Sequence, residues 1–258
     1  MASAPTNLPL FYNRLEPLSS SAHANLSARS TQVAPFLAKA HAIPLTSDEF
    51  IICQRYYPIV FSVGESPVPL ALMGLNEGVN VFIDDTGKPH GEIYIPAYVR
   101  RYPFMLARLT PDADELSLCF DPTSDVIGEY KDGQALFADG KPTEVTTGLL
   151  KFCEEFELSA QRTNAFMKEL RDMELLIDGE VAIQTGENQP PFVYRGFQMV
   201  SDERLNDMRG DELRKINQNG MLPLIIAHLF SLQLMREIFG RQVAQGKVPQ
   251  MQPVPANA

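Results

Sequence analysis

The chain has 258 residues, of which 45% are hydrophobic and 21% are charged, a balance typical of a globular protein rather than of a disordered one. Its formal net charge of −10 at pH 7 argues against a general nucleic-acid binder, because neutralising phosphates requires a surplus of lysine and arginine. The same charge disfavours electrostatic docking to an anionic membrane surface.

The spacing of the cysteines and the length of the apolar runs bear on where in the cell the protein is expected. Cys53, Cys119 and Cys153 are scattered, and no pair has the spacing of a metal or redox site, so we expect reduced thiols in a reducing environment. The N-terminus has no basic start followed by an apolar stretch, and no apolar run approaches the ~20 residues that a membrane helix requires. We therefore expect a cytoplasmic protein without an integral membrane segment.

The N-terminal part of the chain is predicted to begin with an arm. Residues 1–30 are rich in serine and alanine with little periodicity, which predicts an extended segment. Thr46 stands three positions before Glu49, the spacing of a capping box, so a short helix should start near Ser47 and end before Pro58.

Residues 31–142 are predicted to be rich in strands. Several runs there are apolar and bounded by glycine, proline or other turn residues, and alternation in one of them adds support. The runs lie at residues 58–63, 68–75, 79–83, 92–95, 104–109 and 116–120. The third and fourth should pair as a hairpin around the turn at Asp85–Gly87, and the last two across residues 110–115.

Residues 143–245 are predicted to be the helix-rich part of the same domain, and residues 246–258 a disordered proline-rich tail. Apolar residues at threes and fours predict a long helix from Thr143 to Ile177, broken near Leu158–Ser159, with Ser159 as the N-cap candidate of its second part. The further predicted elements are a strand pair at 180–185 and 191–200, a polar helix at 202–217 interrupted at Gly210, and an apolar helix at 222–240. The fold class is therefore α+β, with a mixed or antiparallel sheet mainly from the N-terminal half packed against helices from the C-terminal half.

Common catalytic motifs are missing from the sequence. His23, His41, His90 and His228 are far apart and stand in no metal-binding context, so we predict no metal site. His228 lies in an apolar helix, which favours a hydrogen-bonded structural histidine. The sequence contains no Gly-x-Ser-x-Gly elbow, Walker pattern or GxGxxG, so it predicts no cofactor and identifies no catalytic residue.

One short segment, YIPAYVRRYPF at residues 94–104, has two arginines among three tyrosines. A helical turn there would place Tyr98 and Arg101 on one face with Arg100 elsewhere, whereas an extended segment would align Tyr98, Arg100 and Tyr102. In either geometry a guanidinium lies beside a phenol ring, an arrangement that holds carboxylates, phosphates or aromatic groups.

A second segment, FVYRGF, offers a similar pair. The predicted binding residues are Tyr98, Arg100, Arg101, Tyr102, Tyr194 and Arg195. The alternative is structural, because an acidic chain offers each arginine internal partners such as Asp84, Asp85 or Glu92, and ion-pair networks imitate functional sites.

Five stretches in order, FYNRLEPLS, YYPIVFSV, ALMGLNEGVNVFID, YIPAYVRRYPF and YRGFQMVSDERLN, resemble the SapC family of bacterial proteins. The family carries no established activity or catalytic residues. Its name comes from a gene in a surface-layer protein locus, and related genes stand beside genes for tryptophan-halogenase-like enzymes, cupin-like hydroxylases and TonB-dependent receptors. The resemblance therefore implies an accessory in peptide or nutrient handling.

Three hypotheses follow. The leading one is a cytoplasmic binding or accessory protein that engages a peptide or a partner protein through the tyrosines and arginines, with both guanidiniums facing outward. The second is an enzyme that modifies a peptide or amino acid whose carboxylate an arginine holds, and the third is a component of surface-layer protein export. The oligomeric state stays open, with the apolar terminal helix as one potential self-association face.

Overall fold

A computed structural model describes residues 8–110, 115–184 and 191–247 of the chain. The strand pairings within these residues are antiparallel and the longer helices lie in the second half, so the predicted α+β class is confirmed. The helices are α1 (Phe50–Cys53), α2 (Ala97–Arg100), α3 (Glu144–Asp172), α4 (Asp202–Asn206), α5 (Gly210–Gln218), α6 (Met221–Ser231) and α7 (Met235–Ala244).

The strands are mostly short. They are β1 (Glu16–Pro17), β2 (Ser27–Ala28), β3 (Ala42–Pro44), β4 (Ile59–Phe61), β5 (Pro69–Leu72), β6 (Phe104–Ala107), β7 (Ser117–Phe120), β8 (Ile127–Gly128), β9 (Gln134–Ala135), β10 (Phe137–Ala138), β11 (Lys141–Pro142), β12 (Leu176–Ile183) and β13 (Phe192–Val200). Single 3-10 turns lie at Pro35–Leu37, Ser47–Glu49 and Leu232–Leu234.

The chain divides into two compact units, each built from two separate stretches. Unit 1 takes its described residues from Met1–Val33 and Ala97–Leu158, and unit 2 takes them from Ala34–Pro96 and Ser159–Ala258. Most of the predicted C-terminal tail, residues 248–258, lies outside the described residues, as do residues 1–7 of the predicted arm.

Unit 1 contains two small sheets and a hairpin. The first sheet has the order β1-β7-β6, the second has the order β8-β2-β9, and β10 pairs with β11. The predicted pairing of β6 with β7 is confirmed, with Phe104 opposite Phe120, although part of the turn, 111–114, lies outside the described residues. The buried side chains of this unit's core are Phe104, Leu106, Phe120, Ile127, Leu136, Phe137 and Cys153.

Unit 2 is organised by a five-stranded antiparallel sheet in the order β12-β13-β4-β5-β3. The strands predicted at β4, β5, β12 and β13 are confirmed, and residues 185–190 of the predicted β12–β13 turn lie outside the described residues. The predicted capping box is also present: Glu49 Oε2 accepts from the Thr46 backbone N–H at 3.0 Å and from its hydroxyl at 2.8 Å. The helix starts at Ser47, as predicted, and continues into α1.

His228 is the structural histidine that the sequence predicts. Its ring is completely buried, Nε2 accepts from the Val200 backbone N–H at 3.0 Å, and Nδ1 lies 2.8 Å from the Ile59 carbonyl oxygen. Burial lowers the pKa of His228 to about 4, so the imidazole is neutral near pH 7. The side chain therefore ties α6 to β4 and β13.

The predicted hairpin at residues 79–95 is wrong in extent, because only an isolated bridge forms there, between Ile83 and Pro89. The side chain of Asn80 explains the difference: its Oδ1 accepts from the backbone N–H groups of Phe82 at 2.8 Å and Ile83 at 3.2 Å. Those donors thus have a side-chain acceptor in place of a partner strand. The predicted turn does form, with Asp84 accepting from Thr86 N–H at 2.8 Å.

The predicted break in the long helix is also wrong, since α3 runs through Leu158 and Ser159 without interruption. The Ser159 hydroxyl donates to Asp48 Oδ2 at 2.8 Å instead of capping a new helix, and a mid-helix serine with such a partner is tolerated. The helix also ends earlier than predicted, at Asp172, because Glu174 adopts a left-handed conformation with φ of +55°.

The apolar terminal helix forms as α6, a 3-10 turn and α7. By length and composition, Met221–Ala244 could cross a membrane, and 33% of its most apolar stretch is buried within the protein. Core helices of soluble proteins pass the same test. The predicted absence of an integral membrane segment therefore stays a prediction.

Candidate functional site

The segment with two arginines forms a single helical turn in unit 1. α2 starts directly after Pro96, and the backbone N–H of Arg101 donates to the Ala97 carbonyl oxygen at 3.0 Å. A proline is favoured at the start of a helix because its fixed φ suits the first turn and its missing N–H costs nothing there. Of the two predicted geometries the helical one is therefore confirmed, with Tyr98 and Arg101 on the same side.

The two arginines have different environments, so the expectation that both guanidiniums face outward is wrong for one of them. Arg101 is only 6% exposed. Its guanidinium carbon lies 4.7 Å from the ring centroid of Tyr98 and 4.1 Å from that of Phe156. Nη1 lies 3.4 Å from Glu157 Oε1, and the buried Nε has no hydrogen-bond partner in the structure. The physical reason for the burial is the aromatic packing, since arginine stacks well on rings.

The groups around Arg101 have pKa values set mainly by burial. Burial raises the pKa of Glu157, and the attraction of Arg101 offsets this only in part. Burial also raises the pKa of the Cys153 thiol to about 11 and raises the pKa of Tyr98. An arginine stays charged in such surroundings, whereas a thiol and a phenol of this kind are neutral near pH 7.

The tyrosines around α2 are anchored to the backbone by their hydroxyl groups. The Tyr98 hydroxyl donates to the Leu10 carbonyl oxygen at 3.1 Å, and the Tyr12 hydroxyl donates to the Phe104 carbonyl oxygen at 2.7 Å. Burial raises the pKa of Tyr12 far above its ordinary value. Tyr12 is a neighbour of Arg101 that reasoning from motifs did not select, although it lies in the FYNRLEPLS stretch that the family resemblance includes.

Tyr102 is half-buried and packs edge-on against Tyr12, with ring centroids 5.2 Å apart. Burial raises the pKa of its phenol, and a hydrogen bond with Ser124 opposes that shift. Tyr102 therefore lies among the aromatic side chains of unit 1 while keeping part of its surface exposed.

Arg100 is exposed, in contrast to the buried Arg101. Its guanidinium carbon lies 5.3 Å from the ring centroid of Phe152, on the first half of α3. An arginine beside an aromatic ring at the surface combines a charged planar group with an apolar one, a pairing that suits protein contacts. We call Arg100 and Phe152 the Arg100 surface.

The second predicted cluster lies in unit 2, on β13. Tyr194 is buried and stacked on Phe197, with ring centroids 5.4 Å apart, and burial raises its pKa to about 12. Arg195 is half-buried and forms an ion pair with Glu180 on β12, with Nε and Nη2 each 2.6 Å from one carboxylate oxygen. The two side chains leave the strand on opposite sides, so the cluster is split between the core and the sheet surface.

Other chemical features of the described residues are few. No group of three or more His, Cys, Asp or Glu side chains there could hold a metal ion. An open groove of about 660 Å³ runs along α5 in unit 2. It is lined by Gly210, Asp211, Arg214, Lys215, Gln218 and Asn219.

Unit 2 also has exposed apolar side chains. α1 packs against α6, and Ile51 on α1 is 52% exposed while Phe230 on α6 is 63% exposed. Exposed aromatic and aliphatic side chains of this size are more common at interaction surfaces than elsewhere, but scattered ones are normal.

The fold and the site define an α+β protein with one arginine embedded among aromatic rings and a second arginine at the surface. The family model SapC matches residues 18–238, which is most of the chain. The chain therefore belongs to the SapC family, and the resemblance seen in the five stretches is confirmed. No curated protein is matched by the chain. No solved structure is matched either.

Proposed function

We propose that this protein is a binding or accessory protein that engages a peptide or a partner protein at the Arg100 surface of unit 1. The observation that carries the proposal is the exposed guanidinium of Arg100 beside the Phe152 ring, at 5.3 Å. Arginine and aromatic side chains are enriched at protein interfaces and supply much of the binding energy there.

The rigid support of Arg100 also favours this function. Arg100 ends a helical turn whose other face is fixed by Tyr98 and Arg101, both more than nine-tenths buried. A side chain on such a support loses less conformational freedom on binding than one on a mobile loop. The proposal includes a cytoplasmic location, which is supported by the scattered cysteines, and a link to peptide or nutrient handling, which is supported by the family.

The experiment has two stages. Affinity purification of the tagged protein from its native cell, followed by mass spectrometry, yields candidate partners, and each is then purified or synthesised. Its affinity is measured by calorimetry for the wild type, for Arg100→Ala and for Arg55→Ala. Arg55 is the matched control, since it is also exposed and lies 5.9 Å from an aromatic ring, that of Tyr56 in unit 2.

We expect Arg100→Ala to weaken binding by about tenfold or more, the effect of removing an interface arginine. Arg55→Ala should bind as the wild type does, and both variants should melt at the wild-type temperature because each replaced side chain is exposed. Equal affinity of the wild type and Arg100→Ala for every purified partner would contradict the proposal.

A further inference from the structure

One donor of the Arg101 guanidinium, the buried Nε–H, lacks a hydrogen-bond acceptor, whereas other N–H groups of the guanidinium contact Glu157 and the Tyr98 hydroxyl. All five of its N–H donors lie in the plane of the group, so the rings of Tyr98 and Phe156 against it accept none of them in the ordinary sense. The buried Nε has no partner in the structure. A buried donor without an acceptor costs about 1–3 kcal/mol, which makes such groups rare and in need of an explanation.

Glu157 compensates the charge of Arg101 only weakly. Among the described residues it is the one acid within 4.0 Å of this guanidinium, and the contact is single and 3.4 Å long. Charge-assisted hydrogen bonds between arginine and a carboxylate are about 2.7–2.9 Å long and are often paired. The Glu157 side chain is also 32% exposed, against 6% for Arg101, so its carboxylate lies towards the solvent side of the contact.

We propose that Arg101 binds the carboxylate group of a peptide ligand and that Glu157 occupies the place of that carboxylate while the protein is free. This inference rests on the proposed function and names the chemical group that the ligand presents. A planar carboxylate has the shape of the group that it replaces. It can accept from Nε and from a neighbouring Nη at once, which Glu157 does not do.

The exposure of Glu157 supplies the route to the buried guanidinium. A change of side-chain rotamer moves the Glu157 carboxylate into water without moving the backbone of α3, and such changes are common when ligands bind. Phe156 is half-buried, so the ring beside this route is itself close to the surface. Burial raises the pKa of Glu157 despite the charge of Arg101, so the attraction of Arg101 does not outweigh the partial desolvation of this carboxylate.

The test observes Nε directly. In protein labelled with ¹⁵N, the Nε–H resonance of Arg101 is assigned by its loss in Arg101→Lys, and that of Arg100 by its loss in Arg100→Lys. The probes are acetyl-trialanine with a free carboxyl terminus, the same peptide with a terminal amide, and amidated acetyl-Ala-Glu-Ala. The first and third distinguish a C-terminal carboxylate from an acidic side chain, and the second has no carboxylate.

We expect at least one carboxylate probe, but not the uncharged amide, to shift the Arg101 Nε–H resonance in a saturable way. Glu157→Gln should bind that probe more tightly, by a factor of about two to five, because the competing carboxylate is gone and a partly exposed ion pair is worth that much. A purely structural role of Glu157 predicts no such gain. If Arg101→Lys does not fold, the affinities of the wild type and of Glu157→Gln for the carboxylate probes still decide the matter.

An unmoved Arg101 resonance with both carboxylate probes, or equal affinities of the wild type and Glu157→Gln, would overturn the inference. The proposed function is tested separately, because a peptide that binds only at the Arg100 surface shifts the Arg100 resonance and is weakened by Arg100→Ala. Failure at Arg101 with binding retained at Arg100 therefore rejects this inference alone.

Discussion

Replacing His228 by glutamine is expected to remove a large part of the acid sensitivity of unit 2. In the folded protein Nε2 accepts from Val200 N–H, so a proton on Nε2 would place two donors against each other in a site without water-exposed surface. Glutamine has an NH2 group that donates and a carbonyl oxygen that accepts, and it does not titrate, so it can replace both hydrogen bonds of the neutral imidazole.

The magnitude follows from the pKa of His228, which burial lowers from 6.5 to about 4. Between these pH values the unfolded chain binds a proton at this site and the folded chain does not. The contribution of His228 to the free energy of unfolding therefore falls as the pH is lowered from 6.5 to 4 and levels off below pH 4. Each pKa unit is worth about 1.4 kcal/mol, so His228 accounts for a loss of about 3 kcal/mol.

The assay is urea unfolding followed by circular dichroism between pH 7.5 and pH 4, because the chain has no tryptophan for fluorescence. The carboxylates titrate in both proteins and cancel in the comparison. We expect the wild type to lose about 3 kcal/mol more than His228→Gln over this range. Parallel stability curves, or an imidazole resonance that titrates near pH 6.5 in the folded wild type, would refute the reasoning.

Two further predictions concern packing and buried hydrogen bonds. A Cβ on Gly179 would lie 2.1 Å from a ring atom of the buried Phe197, so Gly179→Ala should lower the free energy of unfolding by about 1–3 kcal/mol. Gly148→Ala is its control, since Gly148 lies within α3, near its start, and a Cβ there meets nothing within 4 Å; it should raise stability by about 0.5–1 kcal/mol. A Gly179→Ala variant as stable as the wild type would contradict the packing argument. Ser231→Ala should cost about 1–3 kcal/mol in the same urea assay, because it leaves the buried Ile59 N–H without the hydroxyl that accepts from it at 2.8 Å, whereas a neutral result would mean that another acceptor replaces the hydroxyl.

The parts of the fold that the sequence predicts correctly depend on residues close together in the chain. The capping box of Thr46 and Glu49, the strands β6 and β7, and the helical turn after Pro96 each follow from a pattern a few residues long. The prediction of a hairpin at 79–95 was wrong for a reason that is also local. One side-chain oxygen of Asn80 accepts from the backbone in place of a partner strand, and the alternation of apolar residues does not reveal such a contact.

The candidate site was predicted only in part, because burial depends on distant residues. Local geometry placed Tyr98 and Arg101 on one face, but the enclosure of Arg101 comes from Phe156 and Glu157, more than fifty positions away. Nothing in the order of residues 94–104 distinguishes the buried arginine from Arg100 at the surface. The same limit applies to the predicted break in α3. The local pattern suits Ser159 as a helix cap, but its hydroxyl donates to Asp48, which is distant in sequence, and the helix continues.

The pairing of β4 with β13 has a consequence for the synthesis of this protein. Phe61 lies opposite Gln198, so the middle of the five-stranded sheet joins stretches that leave the ribosome at very different times. At a synthesis rate of about 5–20 residues per second, β4 is made on the order of ten seconds before β13, the strand that pairs with it. During that interval the backbone groups of β4 that later face β13 have no strand partner, and such unpaired apolar strand edges are prone to misassociation.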